Sequence, residues 1–399
     1  MKIALVTGEF PPMEGGVGAF TQELARALAE QRQEVHIITS RSADPDAPGQ
    51  RFGRLPEPTD LGFAQLHAAI KGWRWPSVSS VADLTLRYEF DVVNIQYQAA
   101  AYNMNSAAVN ILPWRLKHLV RTIVTFHDLR IPYLFPKAGR LRDLAVSFMA
   151  RQSAGIITTN TADFDQLNNT LQTPLVKIPI GSNIETYRPN HIEIAEAREN
   201  FDLKDSDVLL GYFGFVNESK GTDILVEALA QLPENYHLVF IGGQTGASDE
   251  TNQDFASKIR EMIKAANLGN RVHWTGFVSD NRVATFLEAA DLIVMPYRDG
   301  VSLRRGTLMA ALAQGCALLT TAPTAPLPEL VHSQNVWFVN QANGKTLSEA
   351  VLTLTEDDAL RKKLGQGAKR LAKEFSWEDI ARRTLEFYQS TEDPRDREL

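Results

Sequence analysis

Short apolar, β-branched runs alternate with segments of helical spacing along most of this 399-residue chain. An apolar run at 2–7 is followed by a loop with two prolines, a Gly-Gly-Val-Gly turn, an amphipathic segment at 19–31 and a second apolar run at 35–39. This order predicts a strand, a loop, a helix and a second strand. The glycine turn would then lie at the start of the helix.

Four more apolar runs in the first half predict further strands, at 91–96, 122–127, 155–159 and 176–180. Short strands of this kind, separated by helices, favour a parallel sheet covered on both faces. Residues 43–90 are rich in proline, glycine and aspartate with weak periodicity. We expect an irregular excursion there.

A turn-rich, charged stretch at 184–207 interrupts the alternation, which then resumes. Strands are predicted at 208–215, 237–241, 272–275 and 292–296, with helices between them. The predicted fold class is α/β, with two doubly wound, Rossmann-like domains at 1–184 and 185–376 that face each other across a cleft. Ligands of such sheets bind outside the carboxyl ends of the strands, so the cleft is the expected site.

Composition excludes several classes of protein. The net charge of −7 gives no bulk attraction to nucleic acid, and the single cysteine, Cys316, excludes an internal disulfide framework. No apolar run approaches the roughly 18–20 residues of a membrane span, and the first residues lack the pattern of a signal peptide. We therefore expect a cytoplasmic protein.

The glycine turn suits a phosphate group, because the free N–H groups and the positive dipole end of a helix start both attract anions. It is not a complete dinucleotide fingerprint, since Thr21 stands where the third glycine belongs, and no Walker lysine follows it. The other interpretation is a plain strand-to-helix turn that uses glycine for its backbone freedom. These residues alone leave both interpretations open.

Two side chains stand at the carboxyl ends of predicted strands. His127 precedes Asp128 at such an end, which favours a functional residue over a histidine buried in the core. Lys220 lies at a helix start, where the dipole disfavours a cation unless an anion bridges the two. Its alternative is a solvated surface lysine.

Arg304 and Arg305 precede a nearly all-apolar helix predicted at 307–314. Backbone amides at a helix start, together with two arginines, bind phosphate well. The alternative is a solvated charge pair, but the buried character of the helix favours an anion site.

Residues 114–151 carry eight basic residues against two acidic ones, interleaved with large apolar side chains. One interpretation is a surface that meets the acceptor or a membrane. The other is ordinary solvated helix faces, and both remain open.

No cysteine pair, His-Glu-x-x-His or Gly-x-Ser-x-Gly motif occurs, and no tight acidic cluster is present in the sequence. We therefore expect neither a metal site nor a cofactor.

The order of the motifs resembles family 4 of the glycosyltransferases, which are retaining, nucleotide-sugar-dependent enzymes of the GT-B fold. The resemblance covers nearly the whole chain, and its strength lies in the collinear set rather than in any one piece. The pieces are GGVG at 15–18, TFHD at 125–128, IPIGSNI at 178–184, SKG at 219–221, WTGFV at 274–278, AADLIVMP at 289–296, AQG at 313–315 and PELV at 328–331.

The resemblance implies a role for each domain. The first would lie on the acceptor side, with the closing helix at 377–392 packing back on it, and the second would bind the nucleotide sugar. Within the site, the family pattern implies three groups. The donor diphosphate would contact Gly15, Gly16 and Lys220, the donor sugar would lie near His127 and the loop of Gly300, Val301, Ser302 and Leu303, and the base would lie near Phe277 and Val278.

Two departures from the family pattern matter. Phe215 stands where the family usually has an arginine, and Ser302 and Ala310 stand where it has two glutamates eight residues apart. Asp299, before Gly300, is a candidate replacement for the first glutamate. Asp299 and His127 are therefore the two candidate catalytic residues. We hypothesise that Arg304 or Arg305 supplies the positive charge that is lost at Phe215.

The resulting expectation is a retaining glycosyltransferase that moves a sugar from a nucleoside diphosphate sugar to a glycan, lipid-linked or small-molecule acceptor. It would need no metal, and it could sit peripherally on the inner membrane face through residues 114–151. Two alternatives remain: a non-catalytic GT-B protein that binds a nucleotide or glycan, and a sugar-nucleotide epimerase. The donor, the acceptor and the oligomeric state are not specified by the sequence.

Overall fold

The computed structural model describes residues 1–13, 15–44, 57–103, 106–129, 139–182, 184, 186–243, 250–341 and 343–394. The chain divides into two compact units. The first combines Met1–Gly181 with Trp377–Leu399, and the second is Ser182–Ser376. Each unit is built around a sheet of its own.

The described part of the first unit has eight strands and six α-helices. The strands are β1 Lys2–Thr7, β2 Glu34–Ser40, β3 Thr59–Asp60, β4 Gln65–Ile70, β5 Val92–Gln98, β6 Arg121–Asp128, β7 Gly155–Thr158 and β8 Leu175–Lys177. The helices are α1 Gly16–Glu30, α2 Trp75–Tyr88, α3 Leu112–Leu116, α4 Gly139–Gln152, α5 Thr161–Asn168 and α13 Trp377–Ser390. The sheet order is β3-β4-β2-β1-β5-β6-β7-β8, and only the β3–β4 pair is antiparallel.

Helices cover both faces of the first sheet, because successive residues of a strand point to opposite sides. In β1, Ala4 and Val6 join one core with α2, α3 and α4, whereas Ile3 and Leu5 join a second core with α1 and α13. A two-sided core explains why the central strands are continuous apolar runs rather than alternating ones.

The last helix, α13, is part of the first unit. Its Tyr388 hydroxyl accepts a hydrogen bond of 2.6 Å from the side-chain amide of buried Asn94 in β5. Trp377 packs on Phe20 of α1, with ring centroids 5.2 Å apart. These contacts join distant parts of the sequence; Asn94 and Tyr388, for example, are separated by 294 positions.

The described part of the second unit has six parallel strands and seven α-helices. The strands are β9 Val208–Phe213, β10 Tyr236–Ile241, β11 Val272–Trp274, β12 Leu292–Met295, β13 Leu318–Thr321 and β14 Trp337–Val339. The helices are α6 His191–Glu199, α7 Thr222–Leu229, α8 Glu250–Ala265, α9 Asp280–Ala289, α10 Gly306–Gln314, α11 Gly344–Glu356 and α12 Asp358–Ala372. The sheet order is β11-β10-β9-β12-β13-β14.

The two sheets carry histidine pairs at equivalent places. Nδ1 of His36 in β2 lies 2.9 Å from Nε2 of His67 in β4. Nδ1 of His237 in β10 lies 3.1 Å from Nε2 of His273 in β11. In both sheets the second histidine is in register with the residue two positions after the first, and the paired rings are stacked.

The expectation of an irregular excursion at 43–90 is wrong for much of that segment. Residues 65–70 form β4, which pairs with β2 inside the sheet, and residues 75–88 form α2. Residues 45–56 lie outside the described residues. The α/β class with two doubly wound sheets is confirmed.

Candidate functional site

The carboxyl edge of the second sheet joins two loops, one after β9 and one after β12. The backbone N–H of Arg298 donates to the carbonyl of Ser219 at 2.9 Å. Gly221 has a φ of 67°, and a Cβ on it would lie 2.1 Å from the carbonyl oxygen of Pro296. Only glycine permits this close approach, which fixes the loop after β9 against the loop after β12.

Lys220 lies where these two loops meet, directly before Gly221. The Asn217 side chain accepts a hydrogen bond of 3.1 Å from its N–H, and Nζ lies 3.2 Å from the place of a Cβ on Gly214. Among the described residues, no acceptor binds Nζ. Burial, and to a smaller extent Arg305, lowers the pKa of Lys220 from 10.5 to about 8. A desolvated ammonium of this kind gains most from a bound anion.

Arg305 is the second cation of this edge. Its guanidinium carbon lies 3.9 Å from the ring centroid of Tyr297, and its Nη2 donates to the carboxylate of Asp299. Its Nε is buried and has no hydrogen-bond partner within the described structure. A buried donor without an acceptor is costly, so this atom is a natural contact for a ligand oxygen.

The loop that precedes Arg305 is anchored from inside. Gly300 has a φ of 79°, and a Cβ there would lie 2.8 Å from the carbonyl oxygen of Ala322. The side chains of Val301 and Leu303 are buried. The loop is therefore a firm support for the arginines that follow it.

Arg304 has a different partner from Arg305. Both its backbone N–H and its Nε donate to the hydroxyl of Ser302, at 3.3 and 3.2 Å. The positive charge of Arg305 helps to lower the pKa of Lys220. The geometry therefore brings Lys220, Arg305 and Asp299 together and leaves Arg304 beside Ser302.

Helix α10 begins directly after these arginines, and no side chain caps it. The N–H groups of its first turn therefore lack an intrahelical partner. Ala310 is buried within this helix, with 3% of its surface exposed. A methyl group there cannot accept a hydrogen bond, so the carboxylate that the family pattern has at this position has no counterpart in Ala310.

Phe277 and Val278 follow β11 at the same carboxyl edge. The bend before them uses Gly276 at a φ of 65°, and the hydroxyl of Thr275 accepts from the N–H of Gly242 at 3.0 Å. Phe277 is 91% exposed, whereas Val278 is partly buried. An open aromatic ring at this edge is a surface on which a planar base can stack.

His127 stands at the carboxyl end of β6 in the first unit. Its Nε2 lies 2.9 Å from Oε1 of Gln96 in β5, and its ring meets Phe20 of α1 edge-on at 4.7 Å. Burial lowers the pKa of His127 to about 3, so the ring is neutral at pH 7. With Nε2–H donating to Gln96, Nδ1 is an acceptor for a ligand hydroxyl.

The glycine turn at the start of α1 already contains an anion. The carboxylate of Glu9 accepts from the N–H groups of Val17 and Gly18, at 3.1 and 3.3 Å. Gly15 lies against the same carboxylate, whereas a Cβ on Gly16 would meet nothing within 4 Å. The turn is thus only partly open to a phosphate, at Gly16.

Parts of the basic segment at 114–151 belong to α3 and α4, which form a helical layer of the first unit with α2, whereas its residues 121–128 form strand β6 of the sheet. Arg130 and Lys137 lie outside the described residues, as do the side chains of Arg140 and Arg142. All the exposed large apolar side chains of the described first unit belong to this layer: Trp75, Leu86, Trp114, Leu144 and Phe148. No helix in the described part of the chain is long and apolar enough to cross a bilayer.

Three residues beside the candidate positions were absent from the sequence prediction: Glu9 and Gln96 in the first unit and Tyr297 in the second. Glu9 and Tyr297 each stand two residues beyond a buried strand, β1 and β12, where loops of the carboxyl edge begin. This position after a buried strand could have marked both residues as candidates in the sequence. Gln96 had none, because a glutamine within an apolar strand says nothing about which histidine it faces.

Comparisons with known proteins agree with this architecture. Residues 15–179 match the family described as "Glycosyl transferase 4-like domain", and residues 193–371 match "Glycosyl transferases group 1". The chain is 26% identical to D-inositol 3-phosphate glycosyltransferase of Xylanimonas cellulosilytica, over 97% of this chain and 96% of that one. It is 27% identical to the lipopolysaccharide core mannosyltransferase LpcC of Rhizobium leguminosarum, over 67% and 70% of the two chains.

Solved structures give the same fold. Sucrose-phosphate synthase of Thermosynechococcus elongatus superposes with a TM-score of 0.78 at 19% identity, covering 98% of both chains. Anabaena HepE, in complex with UDP and glucose, superposes with a TM-score of 0.73 at 19% identity, covering 98% of this chain and 100% of that one. With two matched families that together span both units, the chain belongs to the family 4-like glycosyltransferases of the GT-B fold.

Proposed function

We propose that this glycosyltransferase moves a sugar from a nucleoside diphosphate sugar to an acceptor hydroxyl, with retention at the anomeric carbon. The observation that carries the proposal is the proximity of two cations, Lys220 and Arg305, at one sheet edge. One has no acceptor among the described residues, and the other has a buried Nε without a partner. Two such cations at one sheet edge suit a diphosphate, which carries its charge on adjacent groups.

In the proposed reaction the acceptor oxygen bonds to the anomeric carbon on the face from which the diphosphate leaves. The bond between that carbon and the phosphate oxygen breaks, and the acceptor proton passes to the leaving phosphate. Lys220 and Arg305 stabilise the charge that develops on the diphosphate. Rate enhancement then comes from positioning and charge, and no protein nucleophile is required.

The remaining site residues have supporting roles in this scheme. His127 accepts from a donor-sugar hydroxyl through Nδ1, since its Nε2 faces Gln96. Asp299 holds the Arg305 guanidinium, which makes it a positioning residue rather than a catalytic one. Gly16 offers its N–H to the diphosphate from the open side of the glycine turn. Phe277 and Val278 form a surface for the base.

Arg305, rather than Arg304, is the proposed replacement for the family arginine that is lost at Phe215. Arg305 interacts electrostatically with Lys220, whereas the Nε of Arg304 binds Ser302. If this is right, Arg305→Ala weakens donor binding much more than Arg304→Ala does. Equal effects of the two substitutions would contradict the assignment.

A thermal-shift screen against UDP-, GDP-, ADP- and dTDP-sugars tests the donor class. A ligand at 100 times its Kd stabilises the folded protein by about 2.7 kcal/mol, which such a screen detects. The product formed from the donor that binds is then examined by NMR for its anomeric configuration. An inverted product, or an isomerised donor without transfer, would contradict the proposal.

We also propose that the helical layer of α2, α3 and α4 meets a membrane peripherally. Its exposed apolar side chains and its exposed cations, among them Arg115, Lys117 and Arg151, are the combination that anionic lipid surfaces attract. An acceptor carried by a lipid would then reach the enzyme at this surface.

A further inference from the structure

The loop after β12 carries two consecutive ion pairs that reach in different directions. Nη2 of Arg298 donates to Oδ2 of Asp223 at 2.5 Å, across 75 positions of sequence. The next residue, Asp299, accepts from Nη2 of Arg305. Asp223 lies in the first turn of α7, three residues after Lys220. One loop is therefore tied on one side to the segment of Lys220 and on the other side to Arg305.

The carboxylate of Asp223 is buried, and Arg298 is the nearer of its two cationic partners. The Asp223 side chain is 7% exposed, whereas that of Arg298 is 43% exposed. Lys258 lies farther away, with its Nζ 3.9 Å from the same oxygen, Oδ2. The other oxygen, Oδ1, is buried and has no hydrogen-bond partner in the described part of the chain. A buried charge without a counter-charge is costly, so the contact with Arg298 resists separation.

Arg298 also holds the segment of Lys220 through its main chain. Its backbone N–H donates to the carbonyl of Ser219 at 2.9 Å, directly before Lys220. Its side chain binds Asp223 at the other end of the segment 219–223. The two contacts bracket Lys220, so they fix its position relative to the loop after β12.

We propose that Asp223 is a positioning residue of the diphosphate site, which acts through Arg298 to set the separation of Lys220 and Arg305. Asp223 itself touches no ligand in this scheme. The inference rests on the proposed function, because it assumes that these two cations bind one diphosphate. Electrostatic stabilisation relies on charges that are already in place, so a small displacement of either cation weakens it.

A purely local role of Asp223 in its helix is the alternative. The positive dipole end of α7 favours a carboxylate in its first turn, whatever the partner of that carboxylate is. The two roles differ in the effect that they predict on an anion near Lys220. If Asp223 acts only through its charge, its neutralisation makes the site more positive and strengthens anion binding. If Asp223 positions the cations, its neutralisation weakens anion binding.

The first experiment measures the binding of inorganic pyrophosphate to the full chain by titration calorimetry. Asp223→Asn keeps the shape of the side chain and removes its charge, and we expect it to weaken pyrophosphate binding about tenfold. Glu227→Gln, at an exposed position of the same helix, removes the same charge and is the matched control. The control should bind pyrophosphate at least as tightly as the wild type. Unchanged or tighter binding by Asp223→Asn overturns the proposal.

A double-mutant cycle with Arg305→Ala separates positioning from a general loss of structure. If Asp223 acts by placing Arg305, Asp223→Asn changes the pyrophosphate affinity by less than about twofold once the arginine is absent. The same fold-change in both backgrounds would contradict the proposal. If Asp223→Asn does not fold, Arg298→Gln at the exposed partner takes its place in the cycle, and the same two outcomes decide.

The donor found by screening extends the test to the reaction. Lys220 and Arg305 act on the leaving diphosphate, so Asp223→Asn should lower kcat/KM for the donor at least as much as it weakens pyrophosphate binding. An unchanged kcat/KM contradicts the positioning role. If the wild type does not bind pyrophosphate, the diphosphate site of the proposed function is wrong, and this inference with it. Binding that is insensitive to Asp223→Asn overturns only the role of Asp223.

Discussion

Lys220 combines two properties that usually exclude each other in a lysine, namely partial burial and the lack of an acceptor among the described residues. Burial disfavours the charged form, and the nearby Arg305 adds repulsion, which together bring the pKa of Lys220 to about 8. A bound diphosphate would reverse both effects by supplying negative charge. Donor binding and protonation of Lys220 are therefore linked.

From this linkage we predict that donor affinity falls as the pH rises above about 8. The free lysine loses its proton near that value, whereas the bound state favours the proton, so binding takes up protons between pH 7 and 9. Calorimetry in buffers of different ionisation enthalpy measures this uptake. Lys220→Met should abolish it and weaken binding by about 10- to 100-fold. Lys345→Met is the control, because Lys345 is highly exposed in α11.

Gly221 supports the same site through its backbone. We predict that Gly221→Ala lowers the free energy of unfolding by about 2 kcal/mol or more, since the new Cβ meets the Pro296 carbonyl and the φ is positive. Gly269→Ala is the matched control, because a Cβ there meets nothing within 4 Å. Denaturant unfolding measures both, and an equal change in the two variants would contradict the argument.

At the residue scale, the sequence predicted the cations better than their partners. Lys220 and Arg305 were found because charge at a helix start after a buried strand is unusual. The bond between Arg305 and Asp299 depends on a loop conformation that local pattern does not specify. Glu9 was missed for a similar reason: a carboxylate seven residues before a helix binds the N–H groups of its first turn only when the intervening loop folds back.

The elements were predictable where both faces of a strand are apolar. The central strands are rich in valine, isoleucine and leucine, and their predicted ends lie within two or three residues of the observed ones. Strand β4 was missed because its sequence, Gln-Leu-His-Ala-Ala-Ile, has little β propensity and is held by its neighbours instead. Strands β13 and β14 were also absent from the prediction, although strands as short as these were found elsewhere.

The histidine pairs are element-scale features that tie two strands by side chains. His36 faces His67, Glu34 and Lys2, with Tyr88 and Phe90 against its ring. The positive charge of Arg87 also lowers the pKa of His67. Burial lowers the pKa of His67 from 6.5 to about 3, so the native pair remains uncharged at pH values where the unfolded chain is protonated.

We predict from this difference that the neutral histidines cost the protein no stability above pH 6.5. Below that value they make the free energy of unfolding fall as the pH drops toward 3. The unfolded state binds the proton first, so each such histidine contributes a slope of up to about 1.4 kcal/mol per pH unit. His67→Gln should reduce the slope measured by denaturant unfolding between pH 4 and 6. The same substitution at exposed His118 serves as the control, and an equal reduction there would contradict the prediction.

At the scale of the whole molecule, the first unit has two unlike outer layers. The layer of α2, α3 and α4 carries all the exposed large apolar side chains of that unit's described residues. The opposite layer, α1 with α13, shows none of them in the described chain. Neither distribution follows from hydrophobic pattern alone, because exposure depends on which neighbouring helices cover each face.

We predict that the protein floats with vesicles containing anionic phospholipid and not with purely zwitterionic ones. Phe148→Ser combined with Lys117→Glu should reduce flotation several-fold, because it removes both apolar insertion and charge attraction. Arg382→Glu, on the opposite layer, changes the same charge and should leave flotation unchanged. Equal binding to both vesicle types would contradict a membrane role for this layer.

The hydrogen bond between Asn94 and Tyr388 also bears on how the protein is made. The ribosome completes every described strand of the first unit's sheet before it begins the second unit, yet α13, which covers one face of that sheet together with α1, is synthesised only after the second unit. Until then, part of an apolar face has no cover and Asn94 has no hydroxyl partner. The unit synthesised first is therefore the one completed last, and its nascent form is where a chaperone would find exposed surface.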